Sequence, residues 1–161
     1  MKTKWLLSMA MLLASGGTAL AADAVKLQTR PSLDLAAARK IVDVAEHYAA
    51  AQGWTGSIAV VDTAGYPVLV EKLDGATAIS ADLAIRKGKT SALLGVPSVA
   101  LEGRINQDHA ALLSLGLTTL GGGEPIIVDK QVIGAVGVST PVGAHDDPIA
   151  LQGAKALSST P

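Results

Sequence analysis

From Leu33 onward the apolar positions Ala38, Ile41, Val42, Ala45, Tyr48 and Ala49 recur at helical spacing, with Lys40, Asp43 and His47 on the opposite face. The pattern predicts an amphipathic helix that Ser32, after Pro31, can cap and that Gln52-Gly53 ends. The period then changes. Ser57 to Val61 is nearly continuous apolar, as a central strand requires, and the residues from Val68 to Leu73 alternate. Asp62-Thr63-Ala64-Gly65 between them has turn chemistry, so the whole reads as a β-hairpin. Asp74-Gly75 breaks it. Residues 76–95 return to helical spacing, with Ile79, Leu83, Arg86, Lys87, Thr90 and Leu94 on or near one stripe. Gly88 lies inside that helix at a cost of about 1 kcal/mol relative to Ala, which points to close approach of another backbone or of a ligand. After Gly95 and Pro97, residues 98–114 predict one or two short helices. Pro125 to Val128 and Gln131 to Val138 flank Asp129-Lys130 as a second hairpin, whose alternation weakens at Gly134 and Gly137. His145-Asp146-Asp147-Pro148 then leads into a last helix, Ile149 to Leu157, with Asp147 as N-cap and Pro in the first turn.

The order is helix, hairpin, helices, hairpin, helix. Tight hairpins make antiparallel strands, and helices set apart from strand pairs make an α+β layered fold with helices on both faces. A Rossmann fold would need single strands alternating with helices. The N-terminus changes the picture of where the chain works. Lys2 and Lys4, an apolar run from Trp5 to Leu13 and the close Ala19-Leu20-Ala21 have the order of a secretory signal peptide, residues 1–21. Its core is too short for a transmembrane span. Residues 22–31 read as a flexible lead-in and residues 32–161 as one domain. Without the two signal lysines the charge is 11 positive against 14 negative, or −3, which argues against a nucleic-acid partner. The absence of Cys excludes disulfides, thiolate chemistry and a lipoprotein anchor. A periplasmic or secreted location is expected, with no membrane span once the signal is removed. There is no Phe, so the core is Ala, Val, Ile and Leu, and aliphatic faces of this kind point to a homo-oligomer.

Candidate chemistry is sparse. Gly121-Gly122-Gly123 is no phosphate loop: the Lys-Ser/Thr of a P-loop is missing and a strand follows where a helix should. Its simpler role is a bend into the second hairpin, although bare backbone amides there can line a pocket. His47, His109 and His145 are the candidate metal ligands, but no pair has metal-site spacing. His47 and His109 read more simply as solvated, and His145-Asp146-Asp147 as a helix cap. Asp62 and Asp74 end strands and suit turns before they suit acid–base work. Lys87, with Thr90 a turn later and Arg86 and Lys89 beside it, can meet an anionic ligand or snorkel along an apolar interface. No serine stands in a nucleophile elbow.

Taken together, "LDLAAARKIVDVAEHYAAAQG", "SIAVVDTAGYPVLVEKLDGA", "AIRKGKTSALLG", "GGGEPIIVDKQVIGAVGVS" and "DDPIALQGAKAL" resemble the GlcG/HbpS family, the haem-binding-like group that includes the C-terminal domain of PduO proteins. The stretches follow the family's order over nearly all of the chain after the signal. The resemblance implies a five-stranded antiparallel sheet with helices on both faces, a three-layer α-β-α sandwich, with residues 117–120 as the fifth strand. It also implies a higher oligomer and, for exported members, haem as cofactor in haem sensing or iron handling. Relatives can supply a His from the first helix; Ala36-Ala37-Ala38-Arg39 has none here. The expected site lies between Gly121, Gly122 and Gly123 and the Arg86–Thr90 helix, with the propionates of a tetrapyrrole near Lys87. Two rivals differ in class. One is an enzyme on a small oxo- or hydroxy-acid, tautomerase-like, with Asp62 or Lys87 carrying the proton. The other is a structural oligomer with neither ligand nor turnover.

Overall fold

The computed structural model describes Leu27 and residues 29–157. The expected signal segment, residues 1–21, lies outside them. Helix α1, Leu35–Ala51, begins two residues after the expected start. Asp34, not Ser32, is its cap, and the Asp34 carboxylate accepts the Ala37 amide at 2.7 Å. Strands β1, Ser57–Val61, and β2, Pro67–Lys72, form the first hairpin. Helix α2, Ser80–Leu94, ends at Gly95 in the left-handed conformation that the missing Cβ permits. Helix α3, Ser98–Ile105, is followed by a 3-10 segment, Ala110–Leu115. Strands β3, Gly123–Val128, and β4, Gln131–Ser139, form the second hairpin. Asp129 and Lys130 turn at φ +48° and +62°, the signs a two-residue type I′ turn needs. Helix α4, Asp146–Ala154, closes the chain with a short 3-10 turn, Lys155–Leu157.

Among the described residues the sheet is antiparallel with four strands, in the order β2-β1-β4-β3. The expected fifth strand is absent. Residues 117–120 run without ladder partners, and side chains satisfy their carbonyls instead: Thr90 Oγ1 donates to the Thr118 oxygen at 3.0 Å, and Ser98 Oγ to the Leu120 oxygen at 2.9 Å. That segment therefore tethers to α2 and α3 and not to a sheet edge.

The main core joins Ala38, Ile41, Val42 and Ala45 of α1 and Ile149 and Ala150 of α4 to Ile58, Val60, Val136 and Val138 of the central strands. Alternation turns the neighbouring residues of those strands toward α2. There Val61 and Ala135 pack on Ala92, and beside them backbone meets backbone. A Cβ on Gly137 of β4 would run into the Ala84 carbonyl oxygen, and one on Gly88 of α2 would lie 3.2 Å from the Gly137 amide. The glycine inside the helix thus marks close approach to a strand. It sets Lys87, its neighbour, against the end of β4.

Candidate functional site

The site forms where α2, the glycine loop before β3 and the start of α4 converge. Lys87 projects from the α2 face pressed against β4. It is only 4% exposed, and its ammonium donates to Asp146 Oδ2. A buried cation persists only with such a partner. Asp146 is itself buried, and its other oxygen accepts the Thr140 amide at 2.8 Å and the Thr140 hydroxyl at 2.7 Å. The carboxylate therefore ties α2 to the chain leaving β4.

The three glycines present successive amides to side chains. Gly121 N–H donates to Glu102 Oε2 at 2.8 Å, Gly122 N–H to Asp147 Oδ1, and Gly123 N–H to Ser98 Oγ at 2.8 Å. Gly122 has φ +105°, outside the range of ordinary L residues, and a Cβ there would lie 2.7 Å from the Asp146 Cβ and 2.8 Å from the Val138 oxygen. Glycine is required at that position both by conformation and by space. A Cβ placed on Gly121 would sit 2.9 Å from Asp147 Oδ2 and 3.2 Å from Glu102 Oε2, so the two carboxylates meet over the loop.

A cavity of about 440 Å³ opens here, lined by Lys87, Glu102, Gly121 and Asp147 together with Leu83 and Leu120. On the next strand, Glu124 is 9% exposed. Burial, reinforced by the nearby Asp147 and opposed by Lys155, pushes its carboxyl up to about 7. A larger space of about 1240 Å³ lies at the other end of the strands, beneath the lead-in, against Leu33, Asp62, Val68 and Ile133. Its polar groups are Thr29, Arg30, Ser32, Asp62, Thr63 and Gln131; the smaller cavity differs in bringing the buried charged pair Lys87 and Asp146 to its wall.

The structure brings Lys87 together with Gly121 at the smaller cavity, packs Gly122 against the Lys87 side chain, and seats Gly123 against the Lys87 carbonyl. Thr90 is fully buried beyond the lining and holds the Thr118 carbonyl. His47 and His109 are exposed, the latter with Nδ1 3.1 Å from the Arg104 oxygen. His145 stacks on Trp54, ring centres 3.9 Å apart and 5° from parallel. No group of three or more His, Cys, Asp or Glu among the described residues has a metal-holding arrangement. Asp62 works as a turn: its Oδ1 accepts the amides of Ala64 and Tyr66, each at 2.9 Å. Asp147, expected as the N-cap of the last helix, lies inside the first turn of α4 and caps the glycine loop instead. Glu102 and Glu124 carried no signal in the sequence. The surplus acid in Asp146-Asp147-Pro148 did, since one carboxylate suffices for a cap.

The family model described as "Haem degrading protein HbpS-like" matches residues 33–155. Protein GlcG of Escherichia coli (strain K12) is 33% identical over 114 residues, covering 70% of this chain and 85% of GlcG. Among solved structures, a double glutamate-to-aspartate mutant of Streptomyces reticuli HbpS superposes with a TM-score of 0.77 at 30% identity, over 89% of this chain and 99% of that one. The structure titled as a PduOC:heme complex superposes with a TM-score of 0.72 over 80% of this chain and 96% of that one; at 20% identity it shows the shared fold alone.

Proposed function

The chain belongs to the HbpS-like family, and from that premise we propose that it is an exported, oligomeric binder of haem or a related tetrapyrrole, serving haem sensing or iron handling. The observation that carries the reading is the cavity beside Gly121, whose wall joins the glycine-loop amide to the aliphatic Leu83, Leu120 and Ala144, with Lys87, Glu102, Asp146 and Asp147 as its charged groups. A propionate-bearing ring edge needs that combination: charge-assisted hydrogen bonds at depth and apolar contact around them. The Gly121 amide would hold the propionate in place of Glu102. Leu83 and Leu120, the latter 44% exposed, would cover the adjoining ring edge. Lys87 enters as the anchor of the wall, its charge already matched by Asp146.

A tetrapyrrole is wider than this cavity, so the rest of the ring needs a second cover. A neighbouring copy of the chain supplies it in this reading. Leu93, Leu94, Val96 and Val99, each more than a third exposed where α2 passes into α3, form an aliphatic surface suited to such a contact. Bound haem would supply a redox-active iron. The three histidines lie outside the cavity lining, so the fit rests on the carboxylate and on the ring edge, and no protein ligand to iron is assigned.

The test is a haemin titration of the chain processed after Ala21, followed by Soret absorbance and light scattering. A saturable Soret shift at micromolar protein, on a particle of several chains, is expected. Absence of the shift would overturn the haem reading, and a single-chain mass would overturn the shared ring cover.

A further inference from the structure

We propose that Glu102 is a built-in competitor: its carboxylate keeps the place of a ligand carboxylate at the Gly121 amide, and the cavity takes monocarboxylic acids carried on an apolar body. This shares the cavity of the haem reading, in which one propionate of a tetrapyrrole takes the same place, and rests on that reading only for a tetrapyrrole ligand.

The loop is an anion-binding concavity that the protein fills itself. The positive φ of Gly122 aims successive amides at two carboxylates, one from α3 and one from α4. The two differ in how firmly they are held. Asp147 belongs to a helix whose Asp146, Ile149 and Ala150 are buried. Glu102 is half-buried on an eight-residue helix in which only Ser98 and Leu101 are buried, followed by a 3-10 segment with no buried residue. Rotating Glu102 outward disturbs little packing, whereas withdrawing Asp147 means moving the core. Exchange is also electrostatically even. Lys87 is matched by Asp146, so replacing the Glu102 carboxylate by a ligand's leaves the charge beside Asp147 unchanged. A phosphate dianion would add charge there and is excluded by the same reasoning. Leu83 and Leu120 give the apolar body its contact.

The experiment is an amide NMR titration of the full processed chain with sodium propionate, with propionamide as the uncharged control. In Glu102→Ala the Gly121 and Gly122 amides should shift saturably with propionate, at a midpoint about tenfold below wild type, the size of a lost charge-assisted competitor. Propionamide should leave them in place. Glu102→Gln, which preserves shape and a weaker acceptor, should fall between, and it serves if the alanine variant does not fold. Unsaturable shifts in the variants, or midpoints equal to wild type, would overturn the proposal. Propionate capture without haemin binding would remove the haem reading alone. Haemin binding with amides indifferent to propionate and to Glu102 would remove this one alone.

Discussion

Lys87 and Asp146 lie 59 positions apart, and each is buried because the other is there. Removing either leaves an uncompensated charge on an almost wholly buried side chain. Lys87→Met and Asp146→Asn should each lower unfolding free energy by about 3–5 kcal/mol in urea denaturation, and the double variant should lose clearly less than the sum. Strict additivity would mean that the pair is not coupled. Glu124 makes the opposite kind of claim. An unfolded glutamate titrates near 4.5, while the buried one holds its proton to about 7. Below pH 4.5 both states are protonated and burial of the carboxyl carries no ionisation cost. Between 4.5 and 7 the unfolded chain ionises first, so rising pH favours unfolding through this group. Above 7 the loss is complete, at about 3 kcal/mol. Glu124→Gln should remove that slope and be the more stable protein at pH 8, with the two converging at pH 4.5. Parallel denaturation profiles for the two would contradict it. The sequence singled out Lys87 and the glycines, because a lysine on a helical stripe and three adjacent glycines stand out locally. Their partners stayed hidden, because Asp146-Asp147-Pro148 already had a local explanation as a cap and Glu102 sits in an ordinary short helix.

Among the elements, the α2–β4 contact decides where the site falls. Gly88 and Gly137 let two backbones meet, and that approach brings Lys87 onto the end of β4. Gly137→Ala should cost upward of about 3 kcal/mol, since its Cβ meets the helix backbone at Ala84 and neither element can withdraw without opening the core. Thermal unfolding measures this; a loss below about 1 kcal/mol would contradict so close a contact. The helices and hairpins were legible because each has its own period and its own breakers. Alternation, the Asp-Thr-Ala-Gly turn and the Asp-Lys turn identify all four strands. The fifth strand failed because residues 117–120 look extended locally, while hydroxyls of Thr90 and Ser98, distant in sequence, take up two of their carbonyls. The helix starts shifted for a similar reason. Ser32 and Asp34 are both competent caps, and only Asp34 reaches an amide of the first turn.

At the scale of the whole molecule, the sheet divides two kinds of packing. Toward α1 and α4 it carries Ile and Val in one contiguous core, and toward α2 it carries glycine contacts with buried Ser57, Ser80, Thr90 and Ser91. A chain without Phe gains most of its cohesion on the first side. On the second it places backbone close to backbone, with hydroxyls and one ion pair satisfying what is buried. The cavity beside Gly121 lies at the end of that second side, next to Lys87. The most direct test is therefore a crystal structure of residues 22–161 with haemin bound. The account predicts a propionate oxygen within hydrogen-bonding distance of the Gly121 nitrogen and the Glu102 side chain displaced from the loop. A porphyrin seated elsewhere, with Glu102 still on the Gly121 amide, would contradict it.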